Sequence, residues 1–291
     1  MLVVAVAVLW GSGGLVSKAL IIDGVDPFTV TAGPFAAGAV VAWLVARRVP
    51  SRPAMASGFL LGMINTASPA LLFNLGYETL PAGVVTLLIA FGPVVTAIGA
   101  HFTFADERFN RGKAAGLAVS LAGVAVLSSG QVGETGGTPI GVLLVLAGAL
   151  VSGTTAVWAR SAAVRHGARN LVPAQLSGAA LMPLLLAPLL GRSLVPAAGF
   201  SLEHVVGLVL IGTVASFVGF RLVMQANQIG TASQVSLIGY LLPVVGVGGG
   251  ALFFGERITP SVILGGGLIL AGILMIGRAA AKPVRVIRSA G

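Results

Sequence analysis

Long apolar runs, broken by short clusters of charge, Gly and Pro, make up nearly the whole chain. A helix needs roughly 20 apolar residues to cross the hydrocarbon core of a bilayer. Ten runs reach that scale, at about 2–20, 29–46, 55–77, 81–101, 112–128, 138–158, 170–190, 204–224, 232–252 and 260–278. They are continuous and do not alternate, which excludes membrane-barrel strands, where polarity alternates over about ten residues. The pattern predicts an all-α polytopic membrane protein with ten transmembrane helices. The connections are too short to hold an inserted soluble domain.

Composition sharpens this reading. Apolar residues are 56% of the chain and charged residues 9%, against about 25% charged in an ordinary globular domain. So few charges cannot cover a water-facing surface, and so much apolar character excludes disorder. There is no cysteine, hence no disulfide, thiolate metal site or Cys nucleophile. The first run lacks a basic leader and a small-residue cleavage site, so it is read as a spanning helix rather than a signal peptide.

The formal charge is +9, from 17 basic and 8 acidic residues. Basic loops are a property of the cytoplasmic side of membrane proteins, so the charge needs no nucleic-acid partner. With an even number of spans, 13 of the 17 basic residues fall on one side: Arg47, Arg48, Arg52, Arg108, Arg111, Lys113, Arg160, Arg165, Arg169, Arg278, Lys282, Arg285 and Arg288. The acids Asp23, Asp26, Glu78, Glu134, Glu203 and Glu256 lean the other way. Both termini are therefore expected in the cytoplasm.

The second half echoes the first. Phe91-Gly-Pro93-Val-Val95 matches Leu241-Leu-Pro243-Val-Val245, and Phe104-Ala-Asp-Glu107-Arg108 resembles Phe254-Gly255-Glu256-Arg257. Gly116 and Leu121-Ala-Gly123 match Gly265 and Leu270-Ala-Gly272, and Trp10 matches Trp158. The spacing stays between 148 and 150 residues throughout. The expected layout is a first repeat over 1–130 (spans 1–5), a linker at 131–137, a second repeat over 138–280 (spans 6–10) and a basic cytoplasmic tail at 281–291. Five spans per repeat is odd, so the second copy enters the membrane inverted. Inverted repeats with a mid-membrane site between them are a signature of secondary transporters.

These motifs resemble the drug/metabolite transporter (DMT) superfamily, EamA family, through Leu9-Trp10-Gly11-Ser12 with Lys18, the Pro93 and Pro243 helices, and the Glu107-Arg108 and Glu256-Arg257 turns. Within it the chain looks most like the YddG-type aromatic amino-acid exporters. The resemblance implies a bacterial inner-membrane protein that exports from the cytoplasm, with a central cavity lined by spans 1, 3, 4, 6, 8 and 9. Ala159-Arg160 stands where the first copy has Gly11-Ser12, so a strictly symmetric site is not expected.

No catalytic motif appears: His101, His166 and His204 have no metal-ligand spacing, and there is no His-Glu-x-x-His or nucleophile elbow. Neither a cofactor nor a metal is expected. Unpartnered polar groups are costly in lipid, so intramembrane polar residues face a cavity or another helix. The polar candidates are Ser12, Asn65, Ser68, Ser152, Ser216 and Ser236; the aromatic ones are Trp10, Phe73, Phe91, Trp158, Phe217 and Tyr240, whose rings offer flat faces to a ligand. Pro93 and Pro243 are expected as paired kinks serving as hinges or gates. Arg221, inside span 8, either snorkels or meets a carboxylate cargo.

The leading expectation is a monomeric secondary transporter in the lipid bilayer. It would move a small-molecule substrate, amino acids including aromatic ones, by alternating access. No carboxylate lies firmly within a span, so uniport is favoured. Proton coupling through Glu78 or His101, and export of drugs or nucleotide-sugar-like cargo, form the alternative.

Overall fold

A computed structural model describes the chain except residues 1, 47–48, 104–109, 135–136, 198, 231–234, 236–237 and 281–291. At 2, 3, 100, 103, 131–134, 240, 279 and 280 it describes the backbone alone. The expected basic tail and the Phe104–Arg108 copy of the turn motif thus lie outside the described residues. The described residues are 86% helix with no strand among them. The first half holds α1 (Leu2–Ile22), α2 (Pro27–Val45), α3 (Arg52–Leu61), a π-helical segment Gly62–Ala67, α4 (Ser68–Tyr77), α5 (Ala82–Ile89), α6 (Gly92–Thr103) and α7 (Arg111–Glu134). The second half holds α8 (Pro139–His166), α9 (Ala168–Leu189), α10 (Leu202–Leu210), a second π segment Ile211–Val218, α11 (Gly219–Ile229), α12 (Ile238–Phe254) and α13 (Pro260–Ala280).

Among the described residues nine stretches are long and apolar enough to span a membrane, and α12 adds a shorter apolar helix, Leu241–Phe254. Helix starts follow local chemistry. Asp26 accepts from the Phe28 N–H at 2.8 Å ahead of Pro27, and Thr138 caps α8 ahead of Pro139. Two bounds differ from the sequence reading. The stretch expected as a linker opens as helix, because α7 continues to Glu134. The α8 helix runs on to His166, stopped by Gly167 at φ 79°, so Trp158 sits two turns inside its helix rather than at its end.

Pro69 accounts for the first π segment. Proline has no N–H to offer Asn65 and its ring crowds that carbonyl. The preceding turn widens, and the Ser68 N–H bonds the Met63 carbonyl instead. The second π segment begins 149 residues after the first, within the spacing of the sequence echo. Bulges of this kind occur often at functional sites.

Helices approach closely where glycine removes the side chain. A Cβ on Gly116 would lie 2.5 Å from the Gly272 carbonyl oxygen, and one on Gly272 would strike the Gly116 carbonyl. Gly123 and Gly265 face each other in the same way. Gly265 and Gly272 are the counterparts of Gly116 and Gly123, so each glycine meets the counterpart of the other. That reciprocity is the contact pattern of a two-fold axis perpendicular to the antiparallel α7–α13 pair. A second such exchange places Gly62 against Gln175 and Ala179 of α9, and Gly212 against Pro34 and Gly38 of α2.

Candidate functional site

Two apolar clusters bound a cavity of about 300 Å³ in the middle of the bundle. That is the small end of the roughly 300–1,000 Å³ range of ligand pockets. Its wall follows single helix faces. From α1 come Trp10, Gly13, Gly14 and Ser17, spaced three and four apart; from the second π segment and α11 come Ser216, Phe220, Val223, Met224 and Asn227. Asn65, Pro69, Phe73, Asn74 and Tyr77 supply the facing wall, and the α5–α6 break supplies Ile89, Gly92 and Pro93. The α2 helix also lines the cavity, through Val30, Thr31, Pro34 and Phe35, which the family resemblance did not imply.

Among the described residues no Asp, Glu, Lys, Arg or His lines this cavity. The wall is mainly apolar, with hydroxyl and amide groups set into it. Trp10 is held rigidly. Its Nε1 donates to the Ala215 carbonyl at 3.1 Å, inside the second π segment, and its ring lies 5.1 Å from Phe220. Phe220 in turn meets Phe35 edge-on at 6.0 Å. Gly219 leaves room for the indole: a Cβ there would sit 2.6 Å from Trp10 Nε1. Gly219→Ala is therefore expected to tilt the ring and break the Ala215 bond. In a background with Trp43 and Trp158 changed to Phe, the remaining Trp10 emission should shift by several nanometres. An unchanged spectrum would count against this account of the wall.

The polar groups are mostly tied into the fold. Asn74 donates to Thr31 at 2.9 Å, Thr31 donates to the Pro27 carbonyl at 2.7 Å, and Asn65 donates to Thr155 at 2.7 Å. Gln175, fully buried behind the wall, donates to Thr66 at 2.9 Å. At one end of the cavity the Lys18 ammonium donates to the carbonyls of Tyr77 and Leu80.

Beyond that end lies a layer of ion pairs. Arg192, between α9 and α10, bonds Glu78 at 3.1 and 3.4 Å and Asp26 at 3.3 Å. The Glu78 hydrogen bonds, with the charges of Glu78 and Asp26, raise the Arg192 pKa above its ordinary value. With the carboxylates ionised, a raised value means stability that is lost as pH rises through the guanidinium's own titration. Solvent screening keeps it small, since Arg192 is 38% exposed. His204 Nδ1 accepts from the Ser201 N–H, so its Nε2 carries the proton donated to Asp23 at 2.6 Å.

Of the residues singled out from sequence, Trp10, Asn65, Phe73, Ser152, Ser216 and Pro93 line the cavity. The others stand elsewhere. Ser12 is exposed on the outer face of α1, and Ser68 bonds the Met63 carbonyl at 2.8 Å. Phe91 is 7% exposed within the second apolar cluster, while Trp158 and Phe217 pack against the first. Arg221 is half-buried and does not reach the wall, and Pro243 is buried within α12. Pro93 is the second residue of α6, after a true break at Ala90–Phe91, whereas Pro243 lies inside a continuous helix. The Tyr240 side chain and all of Ser236 lie outside the described residues. Sequence reading missed Phe35, Asn74, Phe220 and Asn227. Counting four and eleven residues on from Ser216 along one helix face would have found Phe220 and Asn227.

The sequence pattern of the EamA-like transporter family matches residues 1–129 and again 139–278. Among curated relatives, a probable terminal-alkyne amino-acid exporter of Streptantibioticus cattleyicolor is 30% identical over 75% of this chain and 72% of its own. A probable amino-acid metabolite efflux pump of Escherichia coli is 27% identical over 77% of each chain. An uncharacterized transporter of Bacillus subtilis is 28% identical over 79% of this chain and 74% of its own. A solved crystal structure shares the fold, with a TM-score of 0.69 and 20% identity over 100% of this chain and 98% of its own. Nine apolar stretches long enough to span a membrane and a shorter apolar helix among the described residues, and a family pattern that matches each half, carry the same conclusion: the chain belongs to the EamA-like transporter family.

Proposed function

We propose that this transporter exports small zwitterionic amino acids, aromatic ones among them, by alternating access and without ion coupling. The observation that carries the reading is the cavity itself: amino-acid-sized, lined by no charged side chain among the described residues, and walled on one side by Trp10, Phe220 and Phe35. A net-neutral cargo with an apolar ring needs dipoles and flat surfaces there rather than a counter-ion. A phosphorylated cargo would need cations at mid-membrane and a cationic drug would need a carboxylate; neither lines the wall among the described residues. The relatives named for amino-acid export support the substrate class. Glu78 is engaged by Arg192 at the rim, which supports uniport over coupling through that carboxylate.

Alternating access fits an architecture of two inverted repeats, 1–130 and 138–280, with the site between them. The glycine reciprocity of α7 and α13 and the matched π segments support that symmetry. In this reading the chain works as a monomer in the inner membrane, with both termini cytoplasmic. The α5–α6 break at Pro93 is the hinge on one side and Pro243 its counterpart.

The test is uptake of labelled phenylalanine by the purified protein in liposomes, with and without a pH gradient. Saturable uptake that the gradient does not change is expected. Uptake that rises with the gradient would overturn uniport, and no saturable uptake of any amino acid would overturn the substrate class.

A further inference from the structure

Among the described residues three asparagines line the cavity, and one of them makes no side-chain hydrogen bond. Asn65 and Asn74 each donate to a threonine. Asn227 is 5% exposed, lies on the cavity wall, and makes no side-chain hydrogen bond among the described residues. Its amide is not sealed into the fold but opens onto the cavity, where a ligand or water can meet the donors and acceptor that the protein leaves unmet. The neighbouring Gln228 uses its amide oxygen to accept from the Ala168 N–H at 3.4 Å, so the local fold leaves Asn227 as the open amide.

Its position suits a ligand head group. Asn227 lies two helical turns beyond Phe220 on one face of α11, with Val223 and Met224 between. At 1.5 Å rise per residue that is roughly 10 Å along the axis, enough for a head group at one end and a ring against the aromatic wall at the other. An amide edge carries N–H and C=O side by side. An α-amino acid carries a carboxylate oxygen and an ammonium N–H side by side as well. The two edges are complementary: amide N–H to carboxylate, ammonium N–H to amide oxygen. We infer that Asn227 is the residue that recognises the α-amino-acid head group, holding both of its charged ends through one neutral side chain. The assignment rests on the amino-acid reading and adds to it what selects a complete amino acid over molecules bearing the same side chain.

The test compares wild type with Asn227→Leu, which keeps the volume, and Asn227→Ser, which keeps a small polar group should the leucine fail to fold. Each full-length protein is reconstituted after eluting as a single species. Uptake of labelled phenylalanine is measured against two competitors, 3-phenylpropionate without the ammonium and phenethylamine without the carboxylate. In wild type each analogue should compete at least about 10-fold less well than phenylalanine, because it leaves half of the amide edge unmet. In the variants the phenylalanine KM should rise about 10- to 100-fold, and the analogues should come within about 3-fold of phenylalanine. A KM within about 2-fold of wild type in both variants, or undiminished discrimination, overturns the assignment while leaving amino-acid transport standing. Absence of saturable amino-acid uptake by wild type overturns both.

Discussion

Replacing Gly62 by valine is expected to abolish accumulation of folded protein. A Cβ on Gly62 would strike the Gln175 carbonyl oxygen and lie 2.8 Å from the Ala179 nitrogen and the Gln175 carbonyl carbon. All three are backbone atoms of α9, so no side chain can rotate aside. The first π segment and α9 would have to separate, undoing the buried Gln175–Thr66 hydrogen bond at 2.9 Å and the closest packing on that side of the bundle. Overpacking a well-fitted core costs about 1–3 kcal/mol and more when the backbone must move. Gly62→Ala should therefore cost at least about 2 kcal/mol, and valine more than most single domains can absorb. Gly267 is the control: a Cβ there meets nothing within 4 Å, so Gly267→Ala should be neutral or slightly stabilising through helix propensity. Thermal unfolding in detergent decides it. Gly62→Val melting within a few degrees of wild type would sink this account of the α9 contact.

The same contact shows where sequence reasoning stops. The ten apolar runs and the halves at a spacing near 149 are written in composition and in repeated motifs such as Pro93 and Pro243, because a span must be apolar whatever it packs against. The GxxxG spacing of Gly58 and Gly62 marks a close helix approach, yet nothing in the chain says that the partner is α9. That choice depends on the fold as a whole. The π segments are half legible. Pro69 signals a disturbed turn, but whether it kinks, breaks or widens the helix is settled by the neighbouring packing.

Cavity residues were legible by face rather than by type. Asn65 stands out because an amide in a span needs a partner, and Trp10 because glycines open space beside it. Ser12 has the same chemistry as Ser216 but lies one residue off the Trp10–Gly13–Gly14–Ser17 face, so it points away from the wall. Arg221 fails for the same reason, adjacent to Phe220 on the helix and about 100° round from it. Asn227 was passed over because it lies past the assumed end of span 8; α11 carries the helix to Ile229, which brings that amide to the cavity.

Glu256→Ala is expected to destabilise the protein by about 2–4 kcal/mol, because one carboxylate caps a helix it does not belong to. The turn between α4 and α5 leaves helix ends of opposite polarity side by side. At the α4 end, Lys18 donates to the Tyr77 carbonyl and, at 3.0 Å, to that of Leu80. At the α5 start, Glu256 accepts from the Ala82 N–H at 2.6 Å and the Gly83 N–H at 3.1 Å. Each charge has the sign that complements its helix terminus, and the two charges offset one another across the turn. Lys18 comes from the same half as the turn, Glu256 from the other, so this carboxylate joins the halves beside the Tyr77 wall of the cavity. Gly250 is part of the arrangement, since a Cβ there would collide with the Glu256 carboxylate. Alanine at 256 leaves two N–H groups unmet and the half-buried Lys18 ammonium without its counter-charge. Glutamine keeps the shape and one acceptor while losing the charge, and should cost about half as much. Gly250→Ala should act in the same direction as Glu256→Ala, and the double variant should cost less than the sum of the two, because both break one contact. Thermal melts of the four proteins test this. Additive effects from Gly250 and Glu256, or a glutamine variant as damaged as the alanine, would show that the carboxylate's hydrogen bonds to α5 do not hold the turn.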